Sequence, residues 1–137
     1  MPSIMQELSF QSKPENIALV ERLIDEMCDI HGVIEEHYGD ILIAMTEGVN
    51  NAILHGNKLD INKSVSVEYE TRGRDLFFRI SDEGAGFDFE NLPDPTAPEN
   101  LERPNGRGVF LMRNLADECS FENEGRVVEI IFTGVLR

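Results

Sequence analysis

Glu47 and Asn51 stand four residues apart in the run Thr46-Glu47-Gly48-Val49-Asn50-Asn51, so on a helix they are neighbours on one face. An amide oxygen is a hard ligand, suited to a Mg²⁺ ion that also keeps phosphates and water. A carboxylate one turn earlier can orient or deprotonate a nucleophile. Alone, the pair reads more readily as a solvated polar face. Asn50 is the other amide within reach, and the i, i+4 relation to Glu47 favours Asn51 as the metal ligand. His55, further along the same helix, reads as a packing or hydrogen-bonding residue rather than a catalyst.

Two glycine-containing turns lie downstream. In Asp82-Glu83-Gly84-Ala85-Gly86-Phe87 an aspartate leaves a strand where the backbone turns. Its carboxylate can accept a hydrogen bond from the exocyclic amino group of a base. Gly84 and Gly86 allow positive φ and close approach of a ligand. The competing reading is an acidic turn between strands. Asn105-Gly106-Arg107-Gly108 precedes an apolar helical run beginning at Val109. Free N–H groups at such a helix start favour phosphate, and Arg103 and Arg107 can add charge-assisted contacts. The competing reading is a plain glycine cap. The pattern is neither G-x-x-x-x-G-K-[ST] nor a dinucleotide fingerprint, since no early βαβ unit contains it.

The elements that must position these groups follow from periodicity. Glu7 to Phe10 reads as an edge strand. Ser12 is expected to cap a first helix, with Pro14 in its first turn and Ile17, Val20, Leu23, Ile24 and Met27 on its apolar face. Val33 to Tyr38 is ambiguous between loop and helical turn. A second helix is expected from Asp40 to about Asn57, with Gly56-Asn57 as its stop. Its apolar stripe is Ile41, Leu42, Met45, Val49, Ala52 and Ile53, and Glu47, Asn51, His55 and Lys58 fall opposite. Ser64 to Glu70 alternates as a half-buried strand, Thr71 to Arg74 turns, and Asp75 to Asp82 returns. Residues 84–105, with four prolines, show little periodicity and read as a functional loop. Val109 to Ala116 is a third helix, and Cys119–Glu122 and Val127–Phe132 close as a hairpin through Glu124-Gly125. The order implies an α+β fold: a two-layer α/β sandwich with helices over one face of a mixed, mostly antiparallel sheet.

The 137 residues fit one domain, 1–137. The net charge of -14 opposes nucleic-acid binding, which needs cations against phosphates, and suits a basic protein partner. A local cationic site would have to be built against that field, and Lys58, Arg103, Arg107 and Arg113 are placed for it. No apolar run is long enough to span a bilayer, and the start of the chain lacks the pattern of a secretory signal. The expectation is a cytoplasmic protein with no membrane partner. Cys28 and Cys119 show no metal-ligand spacing and read as two buried thiols.

Together the three segments resemble the GHKL (Bergerat-fold) ATPases, and most closely the small bacterial anti-sigma-factor serine/threonine kinases of the SpoIIAB and RsbW type. The resemblance runs from about Glu7 to Phe132. It implies Glu47 as catalytic base, Asn51 as magnesium ligand and Asp82 as the adenine-binding aspartate. It implies Gly84 and Gly86 as the first glycine box, and Gly106, Gly108 and Val109 as the second, with Arg103 and Arg107 on the phosphates. Residues 84–105 would be the ATP lid. ATP and Mg²⁺ are the implied cofactors. A sigma factor and a STAS-type anti-anti-sigma factor are the implied partners, with room for a homodimer. The alternatives are a non-catalytic ATP-binding module and a stand-alone histidine-kinase catalytic domain. Two departures stand out. Where the family usually reads Gly-Thr-Thr after the last turn, this chain reads Gly125-Arg126-Val127-Val128. Arg103-Pro104-Asn105-Gly106 looks one residue longer than in the close relatives. No phosphoacceptor-histidine helix precedes the domain, so a complete histidine kinase is not expected.

Overall fold

The computed structural model describes residues 5–85 and 104–137. Strand β1 (Met5–Gln11) leads through a short 3₁₀ turn to helix α1 (Ile17–His31) and helix α2 (Glu35–Asn51). The α2 axis continues as a π-helical turn, Ala52–Gly56. Strands β2 (Ser64–Arg72) and β3 (Asp75–Ser81) follow, then α3 (Pro104–Leu115), β4 (Glu118–Glu122) and β5 (Val127–Phe132).

The strands form one sheet in the order β1-β2-β3-β5-β4. Every pairing is antiparallel, so the sheet is simpler than the mixed one expected while the α+β class stands. Alternation decides which face is covered. Val65, Val67 and Tyr69 of β2, Leu76, Phe78 and Ile80 of β3, and Val128, Ile130 and Phe132 of β5 point into one core. Val20, Ile24 and Met27 of α1, Ile41, Ala44, Met45 and Val49 of α2, and Val109 and Met112 of α3 fill it from the helical side. The Val, Leu, Ile, Phe and Met side chains among these each contribute about 1.5–3 kcal/mol when fully buried. No helix among the described residues is long and apolar enough to cross a membrane.

Three expectations change. Helix α2 starts at Glu35, not Asp40. Glu35 and Glu36 sit in its first turn, where carboxylates favour the positive end of the helix dipole, so a polar stretch that resembled a loop is a good helix start. Ser12 caps no helix: its hydroxyl donates to the Lys63 carbonyl at 2.8 Å and accepts from Asn57 Nδ2 at 2.7 Å. Helix α3 starts at Pro104, not Val109. Proline suits a first helical position because its missing N–H would be unsatisfied there anyway.

Candidate functional site

Gly48 explains where Glu47 and Asn51 end up. A Cβ on Gly48 would meet Ile80 Cδ1 at 2.6 Å and Met112 Sδ at 3.0 Å, so only glycine lets α2 lie this close to β3 and α3. Ala44 and Gly48 are buried with Ile41, Met45 and Val49. The small residues widen the buried face of α2 beyond the stripe of large side chains. Glu47 and Asn51 are therefore at the border of the core, half-buried, rather than on the solvent side expected for them. The exposed residues on this part of the helix are Ile43 and Leu54.

Asn51 Oδ1 is buried and has no hydrogen-bond partner among the described residues. An orphaned acceptor costs about 1–3 kcal/mol, and its presence marks a site that something else completes. Asn51 lines a small pocket with Gly48, Ala52, Ile80, Asp82, Phe121, Gly125, Arg126 and Val128. Its volume is about 10 Å³, near the least a single water requires. A larger ligand must part these walls.

Asp82 sits at the end of β3 against the π-helical turn. A Cβ on Gly56 would collide with the Asp82 carboxylate, and one on Gly84 would overlap the Gly56 carbonyl. Close approach, not positive φ, is what these two glycines supply. The Asp82 carboxylate accepts from the Gly84 N–H at 2.8 Å. Its pKa is raised by burial, against the opposing pulls of that hydrogen bond and of Arg126 and Lys63. His55 ends in a buried Nε2 with no partner among the described residues, and burial lowers its pKa, which disfavours the charged ring.

Two residues missing from the expected site hold it together. Asn57, 1% exposed, accepts from the Glu83 N–H at 2.8 Å and donates to Ser12 Oγ and to the Ser64 carbonyl at 3.0 Å. The Ser64 N–H in turn donates to the Glu83 carboxylate at 2.6 Å. Arg126 donates through Nε to the Gly84 carbonyl at 2.7 Å and through Nη2 to the Ala85 carbonyl at 3.3 Å. Its own carbonyl accepts from the Asp82 N–H at 2.9 Å. Asn57 read as a helix stop in the sequence. Arg126 stood out only as a departure from the family turn.

Helix α3 meets the site at Gly108, where an added Cβ would lie 3.4 Å from Glu47 Oε2. Because α3 begins at Pro104, Gly106, Gly108 and Val109 are inside the helix. The amides without an intrahelical partner belong to its first turn, Asn105 to Arg107. Val109 is 2% exposed and packs in the core. Gly86 and Arg103, and nearly all of the expected lid at 84–105, lie outside the described residues. Of the expected cations, Arg113 stacks over Phe121, its Cζ 5.7 Å from the ring centroid, and Lys58 is exposed at a left-handed φ of 52°. Both cysteines are free and only half-buried, each with a thiol pKa pushed up to about 11 by burial.

Residues 10–132 match the family described as histidine kinase-like ATPase domain. The chain belongs to that family. Among curated relatives, the serine-protein kinase RsbW of Listeria innocua serovar 6a is 29% identical, covering 92% of this chain and 83% of the relative. RsbW of Bacillus subtilis strain 168 is 26% identical over 88% of this chain and 79% of its own. Among solved structures, the RsbU and RsbW domains of Rv1364c from Mycobacterium tuberculosis superpose with a TM-score of 0.63 at 16% identity, over 99% of this chain. This chain spans 33% of that longer one, and at that identity the likeness speaks for the fold.

Proposed function

We propose that this protein binds Mg-ATP and transfers its terminal phosphate to a serine or threonine of a protein partner. The observation that carries the reading is the buried Asn51 Oδ1, without a partner among the described residues, in the same pocket as Asp82. A hard oxygen without a protein donor fits a Mg²⁺ ligand, since that ion usually takes one or two protein oxygens and completes its shell with phosphates and water. Bound there, the ion would neutralise phosphate charge.

The other roles rest on this chain's own residues. Asp82 accepts from the amino group of adenine. Glu47, beside the N-terminal half of α3, orients and deprotonates the attacking hydroxyl. The free amides of Asn105 to Arg107 face the phosphates. Gly84, Gly86, Arg103, Gly106, Gly108 and Val109 complete the nucleotide site in this reading, with residues 84–105 as its lid.

The relatives named serine-protein kinase RsbW support the kinase reading, and in this reading the protein works as an anti-sigma factor in the cytoplasm. On this view the protein phosphorylates a STAS-type antagonist and holds a sigma factor in the alternate state. The net charge of -14 suits a basic partner surface.

The test is transfer of radiolabelled phosphate from ATP to STAS-domain proteins of the same source, with Mg²⁺ present or chelated. Acid-stable label on the partner, lost with Glu47→Ala, is the expected result. Acid-labile label points to phosphohistidine. ATP binding without transfer to any partner reduces the protein to a binding module.

A further inference from the structure

The Asp82 turn is closed by a ring of three hydrogen bonds. The Asp82 N–H donates to the Arg126 carbonyl at 2.9 Å. Arg126 Nε donates to the Gly84 carbonyl at 2.7 Å. The Gly84 N–H donates to Asp82 Oδ1 at 2.8 Å. The Gly84 residue is thus gripped at both ends, by the carboxylate on one side and the guanidinium on the other. Arg126 Nη2 extends the grip to the Ala85 carbonyl at 3.3 Å. On the opposite side Asn57 holds the Glu83 N–H at 2.8 Å.

The side-chain chemistry is specific to arginine. Bonding two successive carbonyls requires a rigid planar fork of donors, and lysine offers a point charge that cannot reproduce it. A bond from a cationic donor is also stronger than a neutral one. The alternative employment of Arg126, an ion pair with Glu124, has a separation of 3.7 Å, and the Glu124 side chain is 78% exposed; pairs of that kind contribute little.

Arg126 stands at the turn where the family pattern carries small hydroxyl residues, and it lines the same pocket as Asp82 and Asn51. We propose that Arg126 is a positioning residue that sets purine selectivity: by holding the Gly84–Ala85 carbonyls it fixes the turn that aims the Asp82 carboxylate at the base. The inference rests on the nucleotide reading above. A fixed carboxylate accepts from the amino group of adenine and repels the carbonyl that guanine presents there. Once the turn is loosened, the carboxylate can swing aside, and the penalty on guanine falls along with the gain from adenine.

The experiment is calorimetric titration of the full chain with Mg-ATP and with Mg-GTP. The variants are Arg126→Met, Arg126→Lys and Asp82→Asn, and the last combined with Arg126→Met. Arg126→Met should weaken ATP about tenfold and leave GTP unchanged or somewhat tighter, since about that much follows from losing a bond to a charged group. The ATP preference therefore narrows. Arg126→Lys should recover part of the preference and supplies the reading should the Met variant not fold. In the Asp82→Asn background the Arg126→Met change should cost ATP less than about twofold, because the two residues act through one turn.

A parent that prefers ATP, with Arg126→Met equally selective, overturns the role of Arg126 and leaves the nucleotide site standing. So does an equal loss of both nucleotides, or the same loss with and without Asp82. A parent that binds neither nucleotide overturns the nucleotide reading itself, and this inference with it.

Discussion

Two concavities among the described residues differ in a way that runs against their size. The larger lies on the uncovered face of the sheet, about 470 Å³, lined by Glu68, Arg72, Phe77, Arg79, Glu129 and their neighbours. The smaller, at the end of α2, is about 10 Å³. In the large groove, charges find partners within the protein: Arg79 pairs with Glu122 at 3.0 Å and with Glu129 at 3.3 Å, and Arg72 pairs with Glu70 and lies over the Phe77 ring. In the small one a buried amide oxygen has no partner among the described residues and burial raises the pKa of a carboxylate. Three glycines are required there because a Cβ would collide with its walls. Unsatisfied polar atoms and enforced close approach mark a binding site better than empty volume does.

The sharpest way to break this comparison is Glu47→Ala. The carboxylate lies beside α3 at Gly108, so its loss should slow phosphoryl transfer by about 10²–10⁴-fold with ATP affinity nearly kept. Single-turnover transfer to the partner protein measures this, and a parental rate would remove Glu47 from the chemistry.

Next in size is Gly84→Ala. The added Cβ overlaps the Gly56 carbonyl, which is backbone and cannot rotate away. A loss of about 3 kcal/mol or more in urea unfolding is expected, at the upper end of overpacking costs, together with loss of ATP binding. Parental stability would mean that the π-helical turn yields easily and that the pocket is not rigid.

Asp82→Asn should act in two directions. ATP should weaken by roughly 1.5–3 kcal/mol, the usual worth of a hydrogen bond to a charged group, with GTP little affected. Stability should rise at neutral pH. Asp82 has a folded pKa above its ordinary value of 3.8 because burial disfavours the charge. Ionising it therefore costs the folded state free energy at every pH above the raised value. That cost fades as pH falls through the folded pKa toward 3.8. The variant's advantage in thermal unfolding should accordingly be largest near pH 7 and shrink in acid. An advantage that grows in acid reverses the sign and contradicts the burial argument.

The sequence made local things legible. Alternation in Ser64 to Glu70 matches the burial of Val65, Val67 and Tyr69. Asp82, Asn51 and Glu47 could be named because their types and spacing match a chemistry. What stayed hidden depends on distant partners. Ser12 looked like a cap because its binding partner Asn57 is 45 residues away, and Arg126 meets Gly84 across 42. The start of α3 was obscured by two glycines, each costing about 1 kcal/mol in a helix; Gly108 is there because Glu47 passes beside it. The tilt of α2 was misjudged because Ala44 and Gly48 contribute little to an apolar stripe yet lie in the buried face.

The smallest effect belongs to the large groove, and it tests the comparison from the other side. Arg79 spans two carboxylates on neighbouring strands, Glu129 opposite it on β5 and Glu122 on β4. Its side chain is 41% exposed, so water screens both pairs. Cross-strand and surface ion pairs of this kind contribute roughly 0.2–1 kcal/mol. Arg79→Ala should therefore lower stability by at most about 1 kcal/mol, and raising the salt from low ionic strength to 1 M should shrink the difference from the parent, since the screening length falls to about 3 Å. ATP affinity should stay within about twofold, because no bond links Arg79 to Asn51, Asp82 or Arg126 among the described residues. A tenfold loss of ATP at unchanged stability would reverse the assignment: the ligand would then belong to the open groove, and the small pocket would be only a tightly packed junction between α2 and β3.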